Sequence, residues 1–235
     1  MKSLLVLSFW AAGLTGAVAA EDLGTLVEKM GEAYGGRAAL EKTATVRESG
    51  TVQAAMRMGN SGPVVRLFTR PMKLRVEVGT NEVRLVNGSK GWRNGKEVTG
   101  MQYQAMVLQA VRLDLPWELL THKDKLVEKE TREFDGKRLR VVELPLENGL
   151  SVSAGIDPDT GHILWSSSDS TGGAMGGMNF ETHYDDFRKV DGLSFAFKEV
   201  NLVHGSQTAD TALAKIELLK SPPEGAFEPQ APKAQ

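Results

Sequence analysis

The sequence contains no cysteine among its 235 residues. This absence excludes disulfide bonds, cysteine-ligated metals, thiol nucleophiles and a lipid anchor on an N-terminal cysteine. The sequence also has no excess of positive charge, because 28 Lys and Arg stand against 30 Asp and Glu, giving a net charge of −2. A nucleic-acid partner is therefore not predicted, since nucleic-acid-binding proteins carry a basic excess or a basic face.

Long apolar runs are also missing, except for one at the N-terminus. Met1 and Lys2 precede an apolar run over residues 4–14, and small residues follow at 17–20. This run is shorter than the ~20 residues that span a bilayer, and small residues at its end are typical of a signal-peptidase site. We therefore predict that residues 1–20 are a cleaved signal peptide and that the mature protein is periplasmic, soluble, monomeric and without a lipid anchor.

Helical spacing occurs at two places in the remaining chain. An N-terminal helix is predicted to end at Gly35 and Gly36, with a short second helix after it over 37–42. A further helical segment is predicted over 100–120, broken at Pro116. The apolar residues that share one face of the N-terminal helix are Leu23, Leu26, Val27, Met30 and Tyr34.

From residue 44 onward, apolar and polar residues mostly alternate, which is typical of strands with one buried face. Turn sequences such as Asn87-Gly88 separate about ten such strands. Because a long antiparallel sheet twists and curls, we predict a mainly β fold with some α. It is a single curved antiparallel sheet that forms an unclosed β-barrel, covered by the N-terminal helix and a helical lid from the middle of the chain. The half-barrel domain spans 21–220, and the tail at 221–235 has too little apolar content to pack, so we expect it to be irregular.

Four segments occur in an order and spacing that resemble a known family. They are YGGRAAL at 34–40, NGSKGW at 87–92, IDPDTG at 156–161 and YDDFRKVDGL at 184–193. Together they resemble the LolA/LolB-like outer-membrane lipoprotein-sorting superfamily, in its uncharacterised branch, over nearly the whole mature chain. The resemblance implies an unclosed antiparallel β-barrel whose apolar cavity, covered by helices, accommodates the acyl chains of lipoproteins or other lipids.

The sequence departs from the lipoprotein carriers of this family at two points. Their first strand has an aromatic-rich pattern ending in Phe-x-Gln, whereas the sequence here reads SGTVQAAM over 49–56. They also latch the lid with a strand arginine, and no motif here selects one of the arginines for that role. These two departures bear on which cargo the protein binds more than on its fold.

The residues predicted to line the cavity are inward aliphatic and aromatic side chains of the strands, together with apolar residues of the lid. The same side chains could instead fill a core, and the sequence leaves both interpretations open. They are Val65, Leu67, Leu74, Val76, Met106, Val107, Val111, Leu150, Val152, Ile156, Phe180, Phe195 and Phe197.

Metal and catalytic motifs are scarce. The four histidines, His122, His162, His183 and His204, lack the spacing of a local metal site. The sequence has no Gly-x-Ser-x-Gly elbow, and its Gly-rich segment at 172–177 lacks a following Lys-Ser/Thr. We therefore predict that the protein has no cofactor, no bound metal and no enzyme activity.

The methionines leave one alternative open. The pairs Met56/Met58 and Met175/Met178 could bind Cu(I) through their thioethers, but flexible methionines also line adaptable apolar cavities. The main hypothesis is an exported carrier or sensor that binds a lipid or a lipoprotein acyl chain, with lipids, acylated lipoproteins and envelope membrane proteins as partners. The alternatives are an envelope protein-interaction module without cargo and a methionine-based copper-binding protein.

Overall fold

The computed structural model describes residues 22–56, 59–170 and 179–229. The predicted signal peptide lies outside these residues. Within them, the chain forms four α-helices and one 14-stranded antiparallel sheet. The helices are α1 (Leu23–Ala33), α2 (Arg37–Lys42), α3 (Gly100–Leu113) and α4 (Leu115–Thr121).

The strands range from 2 to 14 residues. The sequence predicts about ten because the shortest strands contain too few residues to show alternation. The strands are β1 (Thr45–Ala54), β2 (Gly62–Thr69), β3 (Lys73–Val78), β4 (Glu82–Asn87), β5 (Lys90–Arg93), β6 (Lys96–Val98), β7 (Val127–Glu128), β8 (Arg132–Phe134), β9 (Lys137–Pro145), β10 (Leu150–Ile156), β11 (Ile163–Ser170), β12 (Asn179–Val190), β13 (Leu193–Val203) and β14 (Ser206–Leu219).

The sheet is a continuous meander that does not close. Its order is β6-β5-β4-β3-β2-β1-β14-β13-β12-β11-β10-β9-β7, and β8 pairs with β9 beside this path. The first strand, β1, pairs with the last strand, β14, in the middle of the sheet. The edge strands β6 and β7 do not pair with each other in the described part of the chain. The predicted unclosed β-barrel with covering helices is therefore confirmed.

Helix α1 covers one part of the concave face. Asp22 caps the helix by accepting a hydrogen bond from the Thr25 amide at 3.0 Å. The side chains of Leu26, Val27 and Met30 are fully buried in the largest core cluster, which also contains residues of α4 and β10. The predicted N-terminal helix thus supplies a filled core at this end of the barrel.

Helices α3 and α4 form the predicted helical segment in the middle of the chain. The break falls at Asp114, and Pro116 lies in the first turn of α4, where its missing N–H costs no helical hydrogen bond. Helix α3 packs across β4, β5, β10 and β11, with Met106, Leu108, Ala110 and Val111 buried. No helix in the described ranges is long and apolar enough to cross a membrane.

The convex face is not uniformly exposed to water. Leu67 and Leu85 form a cluster there with Phe227 of the C-terminal tail, which is 7% exposed. The Asn87 Nδ2 donates to the Phe227 carbonyl oxygen at 3.2 Å. The tail has no helix or strand over 221–229, but Phe227 packs on the sheet, which the low apolar content of the tail did not lead us to expect. Residues 230–235 lie outside the described part.

Candidate functional site

A cavity of about 530 Å³ lies between helix α3 and the concave face of the sheet. Strands β1 to β5 form one wall, and strands β12 to β14 form the opposite wall. The helices leave this space open, although they fill the neighbouring part of the barrel around α1. The structure thus contains a partly open space of the size that small-molecule sites occupy, about 300 to 1,000 Å³.

Part of the cavity wall is apolar. The contributing side chains come mostly from alternate positions of the strands, which point to the same face, and from α3. They are Val52, Val64, Val76, Val78, Phe180, Leu202, Val203 and Ala209 from the sheet, and Met101, Ala105, Met106 and Leu113 from the helix.

The rest of the wall is polar, which the sequence prediction of an apolar cavity missed. The pairing register places Arg66 opposite Val76, and Val76 opposite Arg84. Across the cavity, Glu199 lies opposite Tyr184. The next inward positions on β2 and β3 are valines, so a charged level of the cavity borders an apolar one. The cavity is amphipathic.

Arg66 is the centre of a buried ion-pair cluster. Its Nη1 and Nη2 donate to the two oxygens of Glu199 at 2.7 and 2.8 Å, and its Nε lies 2.6 Å from Glu48 Oε2. All three side chains are at most 11% exposed. Burial raises the pKa of the Glu48 carboxyl; Arg66 opposes this rise, and the charge of Glu199 adds to it. The cluster ties β1, β2 and β13 together below the cavity.

Two further arginines face the cavity from opposite sides. The Arg84 Nη1 donates to Gln109 Oε1 of α3 at 2.9 Å, and its Nε lies 3.4 Å from Glu82 Oε1. Burial and the neighbouring cations Arg93, Arg112 and Arg66 lower the pKa of Arg84, whereas Glu82 raises it. The Arg112 Nη1 donates to Thr182 Oγ1 at 2.7 Å. The polar level of the cavity is therefore rich in guanidinium groups.

A separate arginine holds the C-terminal end of α3. The Arg70 Nε and Nη2 donate to the Asp114 carboxylate at 2.5 and 2.8 Å, and its Nη1 donates to the Leu40 carbonyl oxygen at 2.7 Å. The guanidinium carbon also lies 4.4 Å from the centre of the Trp117 ring. Arg70 thus fixes the junction of α3 and α4, and the sequence did not select it because its partner is 44 residues away.

A smaller cavity of about 90 Å³ adjoins the larger one. Its wall includes Tyr34 and Phe195. Four residues line both cavities, so the last turn of α3 and two strands separate the two spaces. They are Arg112, Leu113, Tyr184 and Glu199.

The residues predicted to line the cavity fall into several groups. Val76, Met106 and Phe180 line the larger cavity, and Phe195 lines the smaller one. Leu74 packs beneath α3 in a cluster with Val76 and Met106. The prediction that these residues contact a ligand stays a prediction. Those that belong to or pack against the largest core cluster are Val107, Val111, Leu150, Val152 and Ile156.

Val65, Leu67 and Phe197 lie elsewhere. Leu67 lies on the convex face with Phe227, because the strand alternation turns Arg66 inward. Val65 shares the parity of Leu67 and is half-buried. Phe197 packs with other apolar residues of β13 and β14. Strand β2 has apolar residues at both its even and its odd positions, so the alternation did not reveal which face points inward. Arg66 is buried on the inward side together with its partner Glu199, which the sequence did not indicate because a charged residue is usually exposed.

The methionine alternative gains no support from the described residues. Met56 is 55% exposed, whereas Met58, Met175, Met178 and the Gly-rich segment lie outside them. In the described residues, His, Asp and Glu form no group of three or more that could hold a metal ion. Of the four histidines, His162 stacks on Phe187 with ring centres 4.2 Å apart.

Comparison with known proteins identifies the fold. No protein-family model matches the sequence, and no curated protein matches it. Solved structures are similar in fold, and three of them have 8 to 10% sequence identity to this chain. A LolA superfamily protein from Nitrosomonas europaea has a TM-score of 0.52, with 86% of this chain and 95% of that chain covered. A DUF1329 family protein from Desulfovibrio piger has a TM-score of 0.54, covering 88% and 95%.

The third structure is a protein domain assigned to outer membrane lipoprotein sorting from Vibrio parahaemolyticus. Its TM-score is 0.50, and the alignment covers 88% of this chain and 97% of that chain. At this level of identity the similarity concerns the architecture. The resemblance predicted from the sequence is confirmed at that level: the chain has a LolA-like fold.

Proposed function

We propose that the protein is an exported carrier or sensor of the cell envelope that holds a lipid, or the acyl chain of a lipoprotein, between α3 and the sheet. The observation that carries this proposal is the cavity of about 530 Å³ that the helices leave unfilled. The LolA-like fold supports it, because solved structures of that fold include a domain assigned to lipoprotein sorting. The predicted signal peptide supports a periplasmic location.

Burial of methylene groups would provide the binding energy. Each CH₂ removed from water contributes ~0.8 kcal/mol, so a twelve-carbon chain contributes on the order of 10 kcal/mol before entropic costs. The valines of β1, β2 and β3 and the apolar residues of α3 supply the surface for this burial. The polar contacts of Arg70 and Arg84 hold the helical segment over the cavity.

The proposal is tested by mass spectrometry under native conditions on protein purified from the periplasm of exporting cells. We expect co-purifying lipid and a mature N-terminus at residue 21. The Ala105→Trp variant places an indole ring in the cavity and should lose the lipid and at least tenfold in affinity for a fluorescent fatty-acid probe. The matched control is Ala38→Trp, since Ala38 is exposed on α2, and it should bind as the wild type does.

The proposal would be contradicted if the wild type had the mass of the protein without lipid and also did not bind the probe. That result would favour the alternative of an envelope protein-interaction module without cargo. Equal probe binding by the Ala105→Trp variant and the wild type would contradict the location of the site.

A further inference from the structure

The charges on the cavity wall do not balance. Four guanidinium groups, those of Arg66, Arg84, Arg93 and Arg112, belong to the wall. The carboxylates that reach them come from Glu48, Glu82 and Glu199. Another glutamate of the wall, Glu181, directs its carboxylate away, to Arg132 at 3.2 Å and to the Trp165 Nε1 at 2.8 Å. Three carboxylates against four guanidinium groups leave one positive charge unmatched.

The unmatched charge can be assigned to two side chains. Arg66 is paired with two carboxylates, those of Glu199 and Glu48, so it contributes no surplus positive charge. Arg93, at the exposed side of the wall, lies 3.2 Å from Glu82, which is also the acid nearest to Arg84. One carboxylate thus serves both Arg84 and Arg93.

Arg112 has no carboxylate within ion-pair distance among the described residues, and its one hydrogen bond is to the neutral Thr182 hydroxyl. The buried Arg84 Nε lacks a hydrogen-bond partner in the same residues. The surplus therefore lies on Arg84 and Arg112.

Both side chains stand where a ligand headgroup could meet them. Gln109 and Arg112 are one turn apart on α3, and Gln109 accepts the hydrogen bond from Arg84 of the sheet. Arg84 thus reaches the cavity from the sheet, and Arg112 reaches it from the helix. Val64 and Val78 form an apolar pair beside them, with Glu82 next to Val78 on β4. Each guanidinium carries five N–H donors in a planar fork that matches the oxygens of a carboxylate or phosphate.

We propose that this cavity binds an amphiphile with an acidic oxygen headgroup, such as a free fatty acid or an alkyl phosphate, and that Arg84 and Arg112 bind the headgroup. This inference rests on the proposed lipid-binding function and narrows its ligand class. An acyl chain attached through an ester or amide carries no charge at its carbonyl end, so it would leave the surplus charge unmatched. A carboxylate or phosphate would neutralise it and pair the free guanidinium donors.

The test compares ligands with the same chain and different headgroups on the full mature protein. Binding of dodecanoate, methyl dodecanoate, dodecyl phosphate and dodecyltrimethylammonium is measured by titration calorimetry, with acetate and inorganic phosphate as headgroups without a chain. We expect both acidic amphiphiles to bind at least tenfold more tightly than the ester and the cation, since hydrogen bonds to a charged acceptor are stronger than those to a neutral one. Acetate and phosphate alone should not bind measurably.

Variants locate the effect. Arg84→Gln and Arg112→Gln keep side-chain length and lose the charge, and each should weaken dodecanoate about tenfold or more while leaving the methyl ester unchanged. Unchanged ester binding shows that the cavity of the variant is still folded. The control Arg47→Gln removes an exposed charge of β1 and should leave both ligands unaffected.

The outcomes separate the two proposals. Equal affinity for acid and ester, tighter binding of the cation, or full dodecanoate affinity in both arginine variants would overturn the headgroup assignment and leave the lipid-binding proposal standing. Binding of inorganic phosphate without binding of any amphiphile would overturn both.

Discussion

Arg70 and Asp114 join the end of strand β2 to the junction of α3 and α4 through two parallel hydrogen bonds. The Asp114 side chain is 10% exposed. Its burial raises the pKa of the carboxyl to about 6 from an ordinary value of 3.8, and the bonds to Arg70 oppose that rise. The folded protein therefore holds the Asp114 proton more tightly than the unfolded chain does.

This difference makes the junction sensitive to pH. The stability that a raised carboxyl pKa contributes is fully present below about pH 4 and is lost as the pH rises through 6. We expect the free energy of unfolding of the wild type to fall by about 1 to 3 kcal/mol, relative to the Asp114→Asn variant, between pH 4 and pH 7. Urea titrations of both proteins at four pH values measure this, and parallel pH profiles would contradict it.

Removing the cation of the buried cluster should be strongly destabilising. In Arg66→Met, the carboxylates of Glu48 and Glu199 remain buried without their partner, which costs about 3 to 5 kcal/mol in the free energy of unfolding. The triple variant Glu48→Leu/Arg66→Met/Glu199→Leu should recover most of this loss, because no unpaired charge remains. Chemical denaturation compares the two, and equal stability of the single and triple variants would show that the loss comes from packing instead.

Gly50 is required where β1 approaches β14. The register of this pair is irregular between Ser49 and Gly50, and a Cβ at Gly50 would lie 2.1 Å from the Ala212 carbonyl oxygen. Because that atom belongs to the backbone, we expect Gly50→Ala to cost about 3 kcal/mol in the free energy of unfolding. The neighbouring change Ser49→Ala should cost less than about 0.5 kcal/mol. A loss below about 1 kcal/mol in Gly50→Ala would mean that the sheet adjusts at the bulge.

The tail contributes to stability through one side chain. Phe227 is 7% exposed against Leu67 and Leu85, so Phe227→Ala should lower the free energy of unfolding by about 3 kcal/mol. Glu224→Ala, at an exposed position of the same tail, should have no effect beyond about 0.5 kcal/mol. Thermal unfolding of the two variants distinguishes them, and equal melting temperatures would mean that the tail is not bound in solution.

The sequence predicted the fold from features that repeat locally. The stripe of α1 and the alternation around Val152 in β10 show a period that indicates both the element and its buried face. The site was harder to predict, because its polar residues belong to pairs far apart in the chain. Arg66 meets Glu199 over a separation of 133 residues, and no local spacing records such a pair.

The face of β2 illustrates the same limit. Val64 and Leu67 are both buried, one on each side of the sheet, because the tail covers the convex side. A period of two cannot identify the inward side of a strand that is apolar on both. The lone charged residue of the strand, Arg66, does not identify the inward side either, because charges are usually exposed and Arg66 is buried only with its partner Glu199.

The sheet is open between its edge strands β6 and β7, and this opening determines how the cavity can change in width. In the described residues no ladder of hydrogen bonds connects these two edges, so they can spread apart without breaking backbone pairing. The size of the ligand proposed above is then limited by the side chains of α3 rather than by the circumference of a closed barrel. Substitutions on α3 alone could therefore change the volume of the cavity, with no change in the strands.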